Sequence, residues 1–287
     1  MIRFLITLIL IPVFASAQSL TPAGKITLKS DFESFGGLSG IEVYPDGNFL
    51  AITDKGNFFK GIVVRKDGII QSATILPPQP ILDSKGNPLT GLNTNAEGMA
   101  IGTVGEILIA FEGNHRIMLH DSTTVAAQFL PKHPDFRSLQ PNSGLEALAI
   151  NSEGIVVTIP ERSGMETRPF PVYVFDGVEW MQSTSIPRKG AYLVTGADFG
   201  PEGRLYVLER SFSLLAGFSS RIRRFTFTTD TLSNEETLLE NRTGRLDNME
   251  GISVWVDETG QTRLTLVSDD NFNPLLRTVL IEYLAND

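Results

Sequence analysis

Residues 247–283 read DNMEGISVWVDETGQTRLTLVSDDNFNPLLRTVLIEY. The segment starts at an acid-glycine pair, Glu250-Gly251, and runs through apolar residues to the turn glycine Gly260. It then climbs a second apolar run that ends at Ser268-Asp269-Asp270-Asn271. Two short runs rich in β-branched and aromatic residues, joined through a polar turn, describe a β-hairpin.

The same order of events occurs four more times upstream. The first copy is GGLSGIEVYPDG at 36–47, followed by Asn48 to Asp54. Later copies pair NAEGMAI at 95–101 with EILIAFE at 106–112, GLEALAI at 144–150 with IVVTIPE at 155–161, and TGADFGPEG at 195–203 with RLYVLER at 204–210. Gly40, Gly98, Ala147, Gly196 and Gly251 share one position, at offsets of 58, 49, 49 and 55 residues. A period near fifty built from strands alone is the pattern of a β-propeller.

Each interval holds two further strand-like runs: 61–65 and 69–76, 116–120 and 125–130, 172–175 and 180–186, 221–228 and 235–240. The last copy has only one more, 277–283, and the isolated run Lys25–Lys29 near the N-terminus supplies the strand it lacks. The expectation is an all-β propeller of four-stranded blades, closed by pairing the N-terminal strand with the C-terminal blade, which removes a free edge. The count favours five blades; a sixth, degenerate blade in the Pro-rich interval 77–95 is the alternative. No run of a dozen residues carries helical periodicity. The intervals 77–95, 131–143 and 161–171 read as long loops over one face, where function is commonly carried.

The N-terminus is expected to be a secretory signal peptide, residues 1–17: Arg3, an apolar run from Phe4 to Phe14, then Ala15-Ser16-Ala17. The run is shorter than the roughly 20 residues of a membrane span. Cleavage would leave one propeller domain, 18–287, in the periplasm or outside the cell, without a membrane span and expected to be a monomer. Losing Arg3 takes the 24 basic residues to 23 against 33 acidic, and the net charge from −9 to −10. Nucleic acid is excluded as a partner for want of a basic face, and a polyanionic substrate would be repelled unless cations intervened. With no cysteine, stability must come from the core rather than from disulfides, and thiolate chemistry is excluded.

In a blade the innermost strand starts at one mouth of the channel and the second strand returns there. Residues before the first strand are Ser39, Glu97, Glu146, Thr195 and Glu250; those after the second are Asp54, Glu112, Glu161, Glu209 and Asp269, with Asp270 beside it. Crowded carboxylates raise one another's pKa values or recruit a cation, and oxygen ligands in number suit Ca²⁺. Candidate metal ligands are Glu97, Glu146, Glu250, Asp54, Glu112, Glu161, Asp269 and Asp270, supplemented by Asn114, Asn271 or Asn273. The alternative is that these acids pair with Lys55, Arg116, Arg162 and Arg210 as a salt-bridged rim.

Candidate catalytic residues are Glu97, Glu146 and Glu250, with His115 as an acid-base group and Arg162 and Arg210 as anion hooks. Arg277 is a further basic residue of the rim. His120 and His133 have weaker claims, and Trp180 and Trp255 read as packing. No G-x-S-x-G, H-E-x-x-H, P-loop, G-x-G-x-x-G or EF-hand loop occurs, so hydrolysis would rest on carboxylates and a bound cation.

The pieces GLSGIEVYPDGNFLAITDKG, NAEGMAI, NSGLEALAI, ADFGPEGRLYVLERSF and NMEGISVW…LTLVSDDNFNPLLRTVLIEY resemble the phytase-like propeller family called "esterase-like activity of phytase". The resemblance implies a β-propeller, export, and ester or phosphate-ester hydrolysis assisted by calcium. It assigns no individual catalytic residue. An R-H-G motif is absent, which excludes the histidine acid phosphatase mechanism. A different reading is a non-catalytic scaffold that binds a ligand or envelope partner through the loops on the acidic face.

Overall fold

Five repeats of a Gly-closed turn between two apolar runs fix the architecture. At Gly47, Gly105, Gly154, Gly203 and Gly260 the backbone has positive φ, between 68° and 93°, which only glycine adopts without strain. The computed structural model describes residues 19–215, 217–241, 247–273 and 275–286; the expected signal peptide lies outside them.

The strands form five antiparallel blades in a ring. β1 (Leu20–Thr27) is taken up last. Blade I is β2 (Leu38–Val43), β3 (Asn48–Thr53), β4 (Asn57–Lys66) and β5 (Ile69–Ile75), with a short β6 (Gln79–Pro80) on β4. Blade II is β7 (Ala96–Ile101), β8 (Ile107–Phe111), β9 (Arg116–His120) and β10 (Gln128–Phe129). Blade III is β11 (Leu145–Ile150), β12 (Val156–Pro160), β13 (Phe170–Phe175) and β14 (Trp180–Ile186). Blade IV is β15 (Leu193–Phe199), β16 (Arg204–Ser213), β17 (Gly217–Phe227) and β18 (Leu232–Asn241). Blade V is β19 (Met249–Val256), β20 (Thr262–Ser268), β21 (Val279–Ala285) and, outermost, β1. The N-terminal strand pairs antiparallel with β21 from Leu20↔Ala285 to Thr27↔Val279. It is longer than the expected 25–29 and closes the ring as the sequence implies.

The sixth-blade alternative is ruled out. Residues 77–95 give β6, an isolated Leu82↔Pro88 bridge and a 3-10 turn at Gly91–Asn93, and these lie on blades I and II without a sheet of their own.

Five clusters of buried apolar side chains lie one between each pair of neighbouring blades. Each blade therefore buries both faces, and its inner strands read as nearly continuous apolar runs rather than alternating ones. Trp180 and Trp255 are buried in two of these clusters. Their indole N–H groups donate to the carbonyl of Pro131 (2.8 Å) and to Thr265 Oγ1 (3.0 Å), so both are packing residues, as expected.

Around the channel the innermost strands approach closely. A Cβ on Gly98 would stand 2.5 Å from the carbonyl oxygen of Glu146, one on Gly196 2.9 Å from that of Glu250, and one on Gly251 3.1 Å from Gly40 Cα. The repeated glycine is thus the contact point of successive blades, and blade III manages with the fully buried Ala147.

Candidate functional site

Each innermost strand carries one β-bulge at its channel-mouth end, in the same place in every blade. The register slips between Leu38 and Gly40, Ala96 and Gly98, Leu145 and Ala147, Val194 and Gly196, and Met249 and Gly251. The extra residues are Ser39, Glu97, Glu146, Thr195 and Glu250, the expected first set. A bulge leaves its residue out of the ladder and re-aims the side chain.

Ser39, Glu97, Glu146 and Glu250 line the channel with the blade-contact residues, around a cavity of about 10 Å³, on the scale of a single water. The channel is closed to anything larger. The two hydroxyls tie blades together: Ser39 Oγ donates to the Ala96 carbonyl (2.6 Å) and Thr195 Oγ1 to that of Met249 (3.1 Å). Glu97 and Glu146 have no such partner among the described residues.

A second ring surrounds the first. The backbone N–H groups of Asp54, Glu112, Glu161 and Asp269 donate to the carbonyls of Gly37, Asn95, Gly144 and Asn248 at 2.9–3.0 Å. In blade IV the residue paired at that position, opposite Leu193, is Arg210. Glu209 was expected here and is displaced by one residue, which on a strand reverses the side chain. It is fully buried on the opposite face, where Arg221 Nε (2.7 Å) and Arg223 Nη2 and Nε (2.5 and 2.9 Å) donate to it.

Arg210 is consequently the cation of the ring. It donates to Glu250 and, at 3.3 Å, to Glu161 Oε1, and its Nη1 reaches Asn248 Oδ1 at 2.5 Å. Burial works against its charge, but Glu250, Glu161, Glu146 and Asp269 outweigh it and hold the guanidinium above its ordinary value.

The carboxylates are too many for one arginine. Burial, then the charges of Glu146, Glu112, Glu250 and Asp54, push Glu97 well up. Glu146 is raised likewise by burial, then by Glu161, Glu250 and Glu112, against Arg210. Burial carries Glu250 up to about 8 despite Arg210, and Asp269 up to about 6 despite the Asn271 N–H. Asp54 and Glu112 are raised chiefly by burial as well. The mouth therefore retains protons at neutral pH.

The remaining expected residues divide. Asp270 is spent on loop structure, accepting from the N–H groups of Gly37 and Phe272 (3.0 Å each) and from Thr278 Oγ1 (2.8 Å). His115 packs against Gly144, beside Glu112. Its Nδ1 is buried without a hydrogen-bond partner among the described residues, and burial lowers its pKa against hydrogen bonding of the ring to the backbone of Leu139 and Gln140. It stays neutral and next to the second ring. Arg162 donates from Nε to Ser143 Oγ (2.8 Å) and Glu161 Oε2 (3.1 Å).

Arg116 is not a rim partner: it is buried over Phe111 and donates to the Asn93 carbonyl (2.7 Å). Arg277 lines a separate cavity with Thr27–Asp31. His120 is fully buried, its Nδ1 3.1 Å from the Val125 carbonyl, and His133 caps the 3-10 turn at 134–138.

A cation could draw on these acids by donor chemistry. All are hard oxygen donors, the negative charge exceeds the positive, and Asp54 Oδ1 is buried without a hydrogen-bond partner. Among the described residues no three His, Asp or Glu side chains already stand gathered as a coordination shell.

The family described as phytase-like, esterase-like activity of phytase, matches residues 33–272. The chain belongs to this family. No curated protein sequence matches it. Among solved structures, the α-L-arabinofuranosidase of Podospora anserina bound to cellotriose is similar, with a TM-score of 0.53, 13% identity, and coverage of 94% of this chain and 97% of that one. A protein of unknown function from Dyadobacter fermentans gives 0.51 at 10% identity, covering 94% of this chain and 100% of that one. The catalytic domain of an α-L-arabinofuranosidase from Coprinopsis cinerea gives 0.53 at 13% identity, with coverage of 93% of this chain and 97% of that one. At such identities the likeness is one of fold alone.

Proposed function

We propose that this member of the phytase-like family is an exported hydrolase of esters or phosphate esters, with its site at the acidic mouth of the propeller and a calcium ion as its cofactor. One observation carries the reading: the bulges of blades II and III aim Glu97 and Glu146 into the channel with no hydrogen-bond partner among the described residues, while Arg210 engages Glu250. Two of the bulged acids are thereby left available for chemistry.

Without a cation Glu97 and Glu146 keep their protons more readily than ordinary carboxyls, and they would give them up to ligate one. Arg210 holds Glu250 and Glu161 in place, and His115, neutral beside Glu112, can accept a proton at the edge of the ring. Glu97, Glu146, Glu112, Glu161, Asp54 and Asp269 would hold the cation, which when bound polarises an ester or phosphoryl oxygen and acidifies a water.

The test is turnover of aryl esters and aryl phosphates by the mature chain with calcium. Glu97→Gln and Glu146→Gln are each expected to lower kcat by about 100-fold or more. A wild-type protein that turns over neither class would overturn the catalytic reading. Variants unchanged in kcat would overturn the assignment of the two glutamates.

A further inference from the structure

The channel is too narrow for a substrate, so the reacting group must be received beside it. A cavity of about 410 Å³ opens over the second ring at blades III to V, and Glu161, Arg210 and Asn248 form its floor. This lies within the size range of small-molecule pockets. A somewhat larger cavity, about 450 Å³, lies on the other side of Arg162, but none of the ring's carboxylates lines it. Of these two, the smaller cavity is the one that touches the second ring.

Two features of its wall specify what it can hold. Arg162 uses only Nε within the protein; its two Nη groups have no hydrogen-bond partner among the described residues, and its side chain is 45% exposed. Arg210, by contrast, is consumed by Glu250, Glu161 and Asn248. The same cavity is lined by an apolar group. Phe212 is 60% exposed, and its ring lies 5.0 Å from that of Phe218 at 50°, with Leu193 and Ala191 completing the wall. An exposed phenylalanine held against a second ring has apolar surface to cover.

We propose that this pocket selects small phosphate esters with a flat apolar substituent: the phosphate on Arg162 above Glu161, the substituent against Phe212 and Phe218. The proposal rests on the reading of the acidic mouth as a hydrolytic site and narrows its substrate class. One guanidinium with its two Nη groups open, amid an excess of carboxylates, matches one phosphate group and opposes a polyphosphorylated polyol.

Binding of phenylphosphonate and methylphosphonate to the mature chain with calcium, followed by calorimetry, tests this without turnover. Phenylphosphonate is expected to bind about tenfold more tightly than methylphosphonate. Phe212→Ala should remove most of that ratio, and Arg162→Gln should weaken both ligands. Phe212 is largely exposed, so its removal should leave the melting temperature unchanged, which a thermal scan verifies. Equal affinity of the two ligands, no binding of either, or a ratio untouched by Phe212→Ala would overturn the proposal. Hydrolysis of aryl and alkyl phosphates at equal rates alongside equal affinities would discard the pocket and leave the hydrolytic reading standing. Selective binding without hydrolysis would do the reverse.

Discussion

Glu209 and Arg210 are neighbours on β16 and face opposite ways, and that single alternation decides the charge of the mouth. The sequence pattern points to an acid in every repeat at this position, because the residue closing the second run is acidic in the other four. In blade IV the counting slips by one: β16 runs on to Ser213, so no strand end marks the rim, and two adjacent charged residues offer no apolar contrast to set the register. The arginine rather than the glutamate enters the ring. Removing it leaves Glu250 buried without a counter-ion and Glu161 with Arg162 alone, and Arg210→Gln is expected to cost about 3–5 kcal/mol in a urea titration. Glu97 and Glu146 were legible from their repeat position, whereas the loop role of Asp270 was hidden because its donors, Gly37 and Thr278, are remote in sequence or across a loop. Since burial, and then crowding, oppose the ionised form of these two acids, Glu97→Gln without calcium should raise the melting temperature at pH 8, by about 2–4 °C. A lower value than wild type would contradict the crowding.

The strand with a bulge at its mouth is the element that makes the site. Five such strands explain why acid or hydroxyl precedes glycine or alanine in each copy: the bulged residue turns inward, and the next must be small because the following blade's backbone meets it. Gly98→Ala places a methyl 2.5 Å from the Glu146 carbonyl oxygen, and a destabilisation of about 1–3 kcal/mol is expected from such overpacking, measured by chemical denaturation. Ala147 shows that blade III has the room that blade II lacks. Inner strands and turn glycines were readable because β-branched runs and positive-φ turns leave a local signature. The bulges were not, since an inserted residue is defined only by the strand opposite. Outer strands were read less sharply: 125–130 shrinks to Gln128–Phe129, and 221–228 lengthens to Gly217–Phe227. At the rim of a blade half the side chains face solvent, and the apolar pattern that marks an inner strand fades.

The ring as a whole is held by β1, whose pairing with β21 joins the two ends of the described chain. Deleting residues 18–27 should expose the edge of β21 and uncover Leu20's cluster between blades IV and V. The expected outcome is self-association by size exclusion together with a lower melting temperature; a stable monomer would contradict the closure. The acidic mouth also gives the whole molecule a pH response. A carboxyl whose folded value is raised binds its proton more tightly when folded, so its contribution is present below the unfolded carboxyl range and is lost as pH rises through the folded value. With Asp269 at about 6 and Glu250 at about 8, stability without a cation should decline from about pH 4, the unfolded carboxyl range, to about pH 8. A cation that replaces those protons should reverse the decline. Calorimetric titration of calcium into the mature protein at pH 8, beside the Glu97→Gln/Glu146→Gln double variant, tests whether the bulged glutamates hold a cation. Saturable binding by the wild type is expected, with proton release seen as a heat that depends on the buffer, and its loss in the variant. Absence of binding by the wild type, or equal binding by both, would contradict it.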